Sequence, residues 1–288
     1  MSFFSEQEAK YFCSGIVSPG NLSNLSFRDY CKAKFNSTKV ISEGNIDFNE
    51  YRLNFLSEVE RNLFLSATNF VSAHRLLISG FASWAHVTLY YSSFYSARAL
   101  LGMFGNYIGN QTFVAVNSGN IRNQKFDVKI GGSAFKKHLT SIGVQLTPGS
   151  HKILWGVFYV FSPRLTSYVQ PDLQWVLQPI GPDPYWQTEN RNNVNYETFN
   201  AVDLIKNFEI SANIKKDRSK LPHPLKTQFD ISDALIRLNF KFAKDFNFKT
   251  PALDNLPGKD DRASKLKRYV FSSVKGFSIE NKMRQSLI

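Results

Sequence analysis

The sequence predicts a mainly α protein: an antiparallel helical bundle with a small β-hairpin insertion and an extra helical segment towards the C-terminus. Three observations predict it. Residues 48–78, "FNEYRLNFLSEVERNLFLSATNFVSAHRLLI", contain no Gly or Pro and place Leu53, Leu56, Val59, Leu63, Phe70 and Leu77 at close to helical spacing. A second periodic stretch, from about Ala82 to Phe104, follows after only "SG" at 79–80. Then "QTFVAVN" and "QKFDVKIG", rich in β-branched and aromatic residues, flank "SGNIRN" and read as a hairpin.

Residues 1–45 form a mixed N-terminal extension with a turn-rich loop, "SPGNLSNLS", at 18–26. The helical core spans 46–225. Its first two helices, joined by so short a turn, pack antiparallel. On the second, Trp84, Val87, Tyr91, Phe94 and Tyr95 make one face, continued by Ala97, Leu100 and Leu101. "GMFG" and "NYIGN" end it. The insertion covers about 106–148, and "SAFKKHLTSIG" adds a short helix. The apolar run "SHKILWGVFYVF" is a further helix with Ser150 as N-cap. Prolines crowd the stretch after it, which makes an irregular connection. An amphipathic helix starts near Asn195, with Phe199, Val202, Ile205, Phe208 and Ala212 on one side, and "LPHPL" ends it. The basic C-terminal segment, 226–288, opens with "DISDALIRLNFKFAKDF", a helix starting at Asp230 or Ser232.

The 288 residues carry 35 Lys and Arg against 23 Asp and Glu, a net charge of +12. Residues 201–288 hold 18 Lys and Arg against 10 Asp and Glu, which is +8 of that surplus. Such a footprint suits a polyanion. The 26 Phe and 12 Tyr point to an aromatic core. Cys13 and Cys31 form no metal-ligand spacing, so no zinc and no other metal is expected. "MSFFSEQEAK" lacks the pattern of a signal peptide, and no apolar run reaches membrane-spanning length. The expectation is a cytoplasmic, reduced protein with no membrane partner. There is no G-x-S-x-G elbow, no P-loop and no dinucleotide fingerprint, so no cofactor is expected.

The stretch "LLISGFASWAHVTLYYSSFYSARALLGMFG" resembles the central helical hairpin of the HEPN superfamily. The matching residues are Gly80, Ala85, Tyr90, Tyr91, Phe94, Ala97, Arg98, Ala99, Leu100 and Leu101. Small residues there (Ala85, Ser92, Ser93, Ser96, Ala97) allow close helix approach, while aromatics fill the seam. "ENRNNVNYETFNAVDLIKNF" at 189–208 is similar to that family's late helix start. Arg191 and Asn192 match its "RN", and Tyr196 stands where nuclease-type members have His. "GSHKILWGVF" resembles the segment that often precedes this motif. The resemblance excludes 106–148 and the tail beyond 225.

The resemblance implies a homodimer that cuts RNA without metal, its Arg binding phosphate and its His moving a proton. An Arg at a helix start also has local amides to help hold an anion. Tyr196 departs from the pattern, since phenols, which titrate near ~10, make poor bases at neutral pH. The alternative for Arg191 and Tyr196 is a helix-start network with the Arg paired to a carboxylate. "RSKLPH" offers a second pair, Arg218 and His223, at the literal Arg-x4-His spacing, with the alternative of a solvated helix end. His74 and His86 read as core histidines; His138 and His151 have no sequence neighbour that suggests a site. Phosphate-contact candidates are Lys215, Lys216, Lys220, Lys226, Lys265, Lys267 and Arg268, with Tyr269 and Phe271 as stacking faces.

By resemblance, the setting is a toxin–antitoxin or anti-phage defence system, with an antitoxin or defence-system protein as partner. A catalytically inactive HEPN-like module that binds a partner protein, nucleotide or nucleic acid is the second reading. A helical nucleic-acid-binding protein outside the family is the third.

Overall fold

The computed structural model describes residues 3–15, 25–35, 40–41, 47–109, 114–123, 125–130, 150–178, 185–197, 200–202, 221 and 223–248. Over these residues the chain is mainly helical. The elements are α1 (Glu6–Cys13), α2 (Phe27–Phe35), β1 (Val40–Ile41), α3 (Phe48–Ile78), α4 (Ala82–Met103), β2 (Asn106–Ile108), β3 (Val114–Asn120), β4 (Lys125–Ile130), α5 (Ser150–Phe161), α6 (Trp186–Tyr196) and α7 (His223–Asp245).

Helix α3 begins where Asp47 accepts the Glu50 amide and ends in a Schellman turn. There the Phe81 amide bonds Leu76 O at 2.8 Å and the Gly80 amide bonds Leu77 O at 3.1 Å. Gly80 sits at φ +82°, a conformation that costs a residue with a Cβ and costs Gly nothing. The chain therefore reverses into α4, which packs along α3 and against α5, α6 and α7. Close approach to α3 is possible because position 102 is Gly. A Cβ there would meet Val59 Cγ2 at 2.6 Å.

The small residues of α4 do more than allow approach. Ser66 and Ser96 share a hydrogen bond between α3 and α4, and Ser92 donates to Ser66 O at 2.9 Å. Ser93 and Ser232 meet at 2.8 Å across α4 and α7, and Asn239 Nδ2 donates to Ser96 O at 3.0 Å. Together with bonds to carbonyls of the same helices, such as Ser93 to Leu89 O and Asn239 to Leu235 O, they satisfy hydroxyl and amide groups buried at the helix contacts. On α4 the periodicity misplaces one residue. Trp84, expected on the apolar face, is 60% exposed, because α4 turns Ala85, Leu89, Ser92 and Ser93 inward.

Phe3, Phe4, Phe12 and Phe27 belong to the same core as the hairpin. Phe27 touches Tyr51, Phe55 and Tyr107 edge-on. A four-stranded antiparallel sheet, in order β1-β4-β3-β2, leaves α4 directly through β2. Tyr51 Oη donates to Asn117 Oδ1 and Asn117 Nδ2 donates to Gly105 O, both at 2.8 Å, which ties the sheet to α3 and to the end of α4.

Three expected boundaries move. Ser150 is the first residue of α5 instead of its cap. The proline-rich connection after α5 contains two short 3-10 stretches, Ser162–Tyr168 and Pro171–Leu177, each with Pro in its first turn, where a missing N–H leaves no bond unmade. Helix α7 starts at His223, ahead of Asp230 and Ser232, for the same reason: Pro224 occupies its first turn. The division expected after residue 225 thus falls inside α7, whose buried face runs on through Leu225, Phe229, Leu235 and Phe242. It closes in a second Schellman turn at Asn247, φ +51°. The short helix expected at "SAFKKHLTSIG", most of the helix expected beyond Asn195, and the tail from 250 lie outside the described residues. Among the described residues, no helix is long and apolar enough to cross a membrane.

Candidate functional site

The site forms where α6 crosses α4 beside the start of α5. Helix α6 is pinned from three sides. Asn190 Nδ2 donates to His86 Nε2 at 3.2 Å on α4. Gln187 Nε2 and Trp186 Nε1 both donate to Tyr159 Oη on α5, at 2.8 and 3.1 Å. Lys152 on α5 pairs with Glu189 at 3.1 Å. These contacts fix Arg191, one turn further on, against the tyrosine pair of α4.

Arg191 lies in the middle of α6, and Tyr196 is that helix's last residue. The expected position at a helix start is therefore overturned. The helix opens five residues earlier at Trp186, on the far side of the prolines at 182 and 184. Arg191 has no helix-start amides of its own to share with an anion. The expected alternative, pairing with a carboxylate, does not occur among the described residues. Its guanidinium sits 5.3 Å from the Tyr90 ring centre, 5.8 Å from Tyr91 and 6.0 Å from Tyr196. Arg191 is 9% exposed, and its Nε is buried with no hydrogen-bond partner.

Tyr90 and Tyr91 also hold His151, in the first turn of α5. Its ring stacks on Phe94 with 4.3 Å between centres and lies edge-on to Tyr91 at 6.0 Å. Nδ1 is 2.8 Å from Tyr90 Oη. That hydroxyl also accepts from Trp155 Nε1 at 3.3 Å and meets Thr188 Oγ1 at 3.3 Å. Burial first, then the charges of Arg191 and Arg98, push the His151 pKa down to about 4. The imidazole is therefore neutral at pH 7. On its other flank, Arg98 lies over Phe94 and Tyr107 at 5.7 and 5.6 Å, its Nε also buried without a partner.

The arrangement has clear chemical capacities. A nearly buried guanidinium whose Nε–H is unused favours an anion. A neutral imidazole can take a proton. Half-buried Tyr91 and Tyr95, stacked at 6.3 Å, offer ring faces to a base. The structure thus joins Arg191 and Tyr196 from the sequence candidates, with half-buried Asn192 beside them. His223 is exposed at the first residue of α7. Lys226 is engaged by Asp230 at 2.6 Å. Arg218, Lys215, Lys216, Lys220, Lys265, Lys267 and Arg268, like Tyr269 and Phe271, lie outside the described residues. Among the described residues, no group of three or more His, Cys, Asp and Glu is set to hold a metal ion.

Sequence reasoning missed His151 because its partners are distant: Tyr90 is 61 positions away. The available signal was a polar residue opening an otherwise apolar helix. Comparison with protein-family models, with curated proteins and with solved structures finds no match.

Proposed function

We propose that this chain is a HEPN-like protein acting on RNA, a metal-independent endoribonuclease or toxin-type defence effector that works as a homodimer. Arg191 is its phosphate grip. One observation carries the reading. A nearly buried guanidinium, held by three tyrosine rings and, among the described residues, by no carboxylate, keeps a positive charge out of water with its Nε–H unused. Such a charge is costly unless something neutralises it, and a phosphate does so with bidentate geometry. Rings beside it suit single-stranded bases, and the net charge of +12 suits a polyanion.

The test uses the purified chain, a labelled single-stranded RNA and EDTA. Cleavage of the RNA, lost in Arg191→Ala, supports the reading. So does affinity that falls steeply with salt, with a slope shallower by about one in the variant. Unchanged cleavage and binding in Arg191→Ala would refute it.

The second reading, a catalytically silent HEPN-like module, is favoured by Tyr196. It occupies the nuclease-type His position and is 72% exposed, presenting its ring to Arg191. Salt-sensitive RNA binding without cleavage selects that reading.

A further inference from the structure

We propose that His151 moves the proton in this site, in place of Tyr196 or His223, with Tyr90 orienting its ring and Arg191 holding the phosphate. This rests on the RNA reading above. Four observations point to it. His151 and Arg191 converge on the same two tyrosines from different helices, so the imidazole lies within electrostatic reach of the guanidinium. Stacking on Phe94 and the bond to Tyr90 fix the ring plane, as a proton-transfer group requires. Nε2 has no hydrogen-bond partner among the described residues and, unlike His86 Nδ1, is not among the buried nitrogens left unpartnered. Finally, the buried hydroxyl beneath it has three partners, which makes Tyr90 a relay point more than a filler.

The tautomer follows from counting protons. Tyr90 Oη accepts Trp155 Nε1–H. If it gives its own proton to Thr188 Oγ1, its remaining lone pair takes His151 Nδ1–H. Every group is then satisfied, and the Nε2 lone pair is free. In the reaction Nε2 removes the proton of a ribose 2′-hydroxyl. The 2′-oxygen bonds to phosphorus, and the bond from phosphorus to the 5′-oxygen breaks. The 5′-oxygen leaves with that electron pair and takes the proton back from Nε2. The products are a 2′,3′-cyclic phosphate and a 5′-hydroxyl, and the imidazole ends as it began.

Among the described residues, α4 presents Tyr90 and Tyr91 to the His151 ring, and the charges acting on it are Arg98 of α4 and Arg191 of α6, both positive. Lys152, next to it on α5, is paired with Glu189 of α6. The free enzyme should therefore have an acidic limb in kcat/KM near 4, the depressed value of His151, where an ordinary His would place it near ~6.5.

The experiment compares wild type, His151→Asn and His151→Phe, the second keeping the ring stack. Initial rates on labelled single-stranded RNA are measured in EDTA from pH 3.5 to 8, with affinity by fluorescence anisotropy. The proposal expects rates ~10²–10⁴-fold lower in both variants, with affinity within about 3-fold of wild type. Mass spectrometry should find cyclic phosphate ends. Independently of folding in the variants, one of the five His ring resonances of wild type should shift on adding a non-cleavable oligodeoxynucleotide. That resonance should be the one missing from His151→Asn. Cleavage within about 3-fold of wild type in either variant overturns the role of His151 and leaves the RNA reading standing. RNA binding without cleavage by wild type overturns the proton-transfer role and selects the silent module. Neither binding nor cleavage sinks the RNA reading itself and His151 with it.

Discussion

Replacing Arg191 by Met separates function from stability. The substitution keeps an unbranched apolar stem and removes the charge and its donors. The folded state loses three cation–π contacts, at 5.3, 5.8 and 6.0 Å, together worth about 1–2 kcal/mol because the rings share one cation. It is relieved of a buried Nε–H with no partner, which costs about 1–3 kcal/mol. A thioether against Tyr90 and Tyr91 returns about 0.3–1.5 kcal/mol. The expected change lies between a loss of about 1 and a gain of about 3.5 kcal/mol, so Arg191→Met is within about 1 kcal/mol of wild type or more stable. RNA affinity falls in the same protein. Urea unfolding followed by circular dichroism gives the first quantity and anisotropy the second. A loss of more than about 3 kcal/mol would show that Arg191 is a structural post and refute the reasoning that a site is held here against stability.

Other expected outcomes test the frame around the site. Gly102→Ala drives a Cβ into Val59 Cγ2, a 2.6 Å approach. It should cost about 1–3 kcal/mol despite the better helix propensity of Ala, and Val59→Ala should offset part of that in a double-mutant cycle. Additive costs would disprove the clash. Arg52 donates to Phe12 O and Ser14 O at the end of α1, so Arg52→Met should cost about 2–4 kcal/mol and raise amide exchange in α1. Unchanged exchange would contradict the link. His86 is fully buried, and burial holds its pKa down at about 4, whereas in the unfolded chain it titrates near ~6.5. Between those values only the unfolded state takes the proton. Stability is complete above about 6.5 and is lost as pH falls towards 4, by roughly 3 kcal/mol in all. His151 adds to the same slope. Urea unfolding at several pH values should show a shallower slope in His86→Gln, and equal slopes would refute it.

Helices α3 and α4 were legible because their sequence carries local physics without interruption. Thirty-one residues free of Gly and Pro, an Asp at the N-cap and a Ser-Gly exit leave the backbone one inexpensive course. Legibility failed where local signals competed. The prolines of "LPHPL" read as the end of a helix, yet Pro224 sits inside the first turn of α7. Periodicity also misassigned Trp84, since a helix packed on several sides by serines and alanines has no single apolar stripe to read.

By itself, the sequence determined the helical hairpin, its aromatic content and the residue types available for chemistry, because backbone propensity and turn geometry act between near neighbours. Only the tertiary structure decided what stands beside Arg191. Among the described residues three tyrosine rings surround it and no carboxylate does, and a histidine from α5 shares two of the rings. The physical reason is that the charge state and orientation of a side chain depend on desolvation and contact. Both are set by helix packing between positions far apart in the chain.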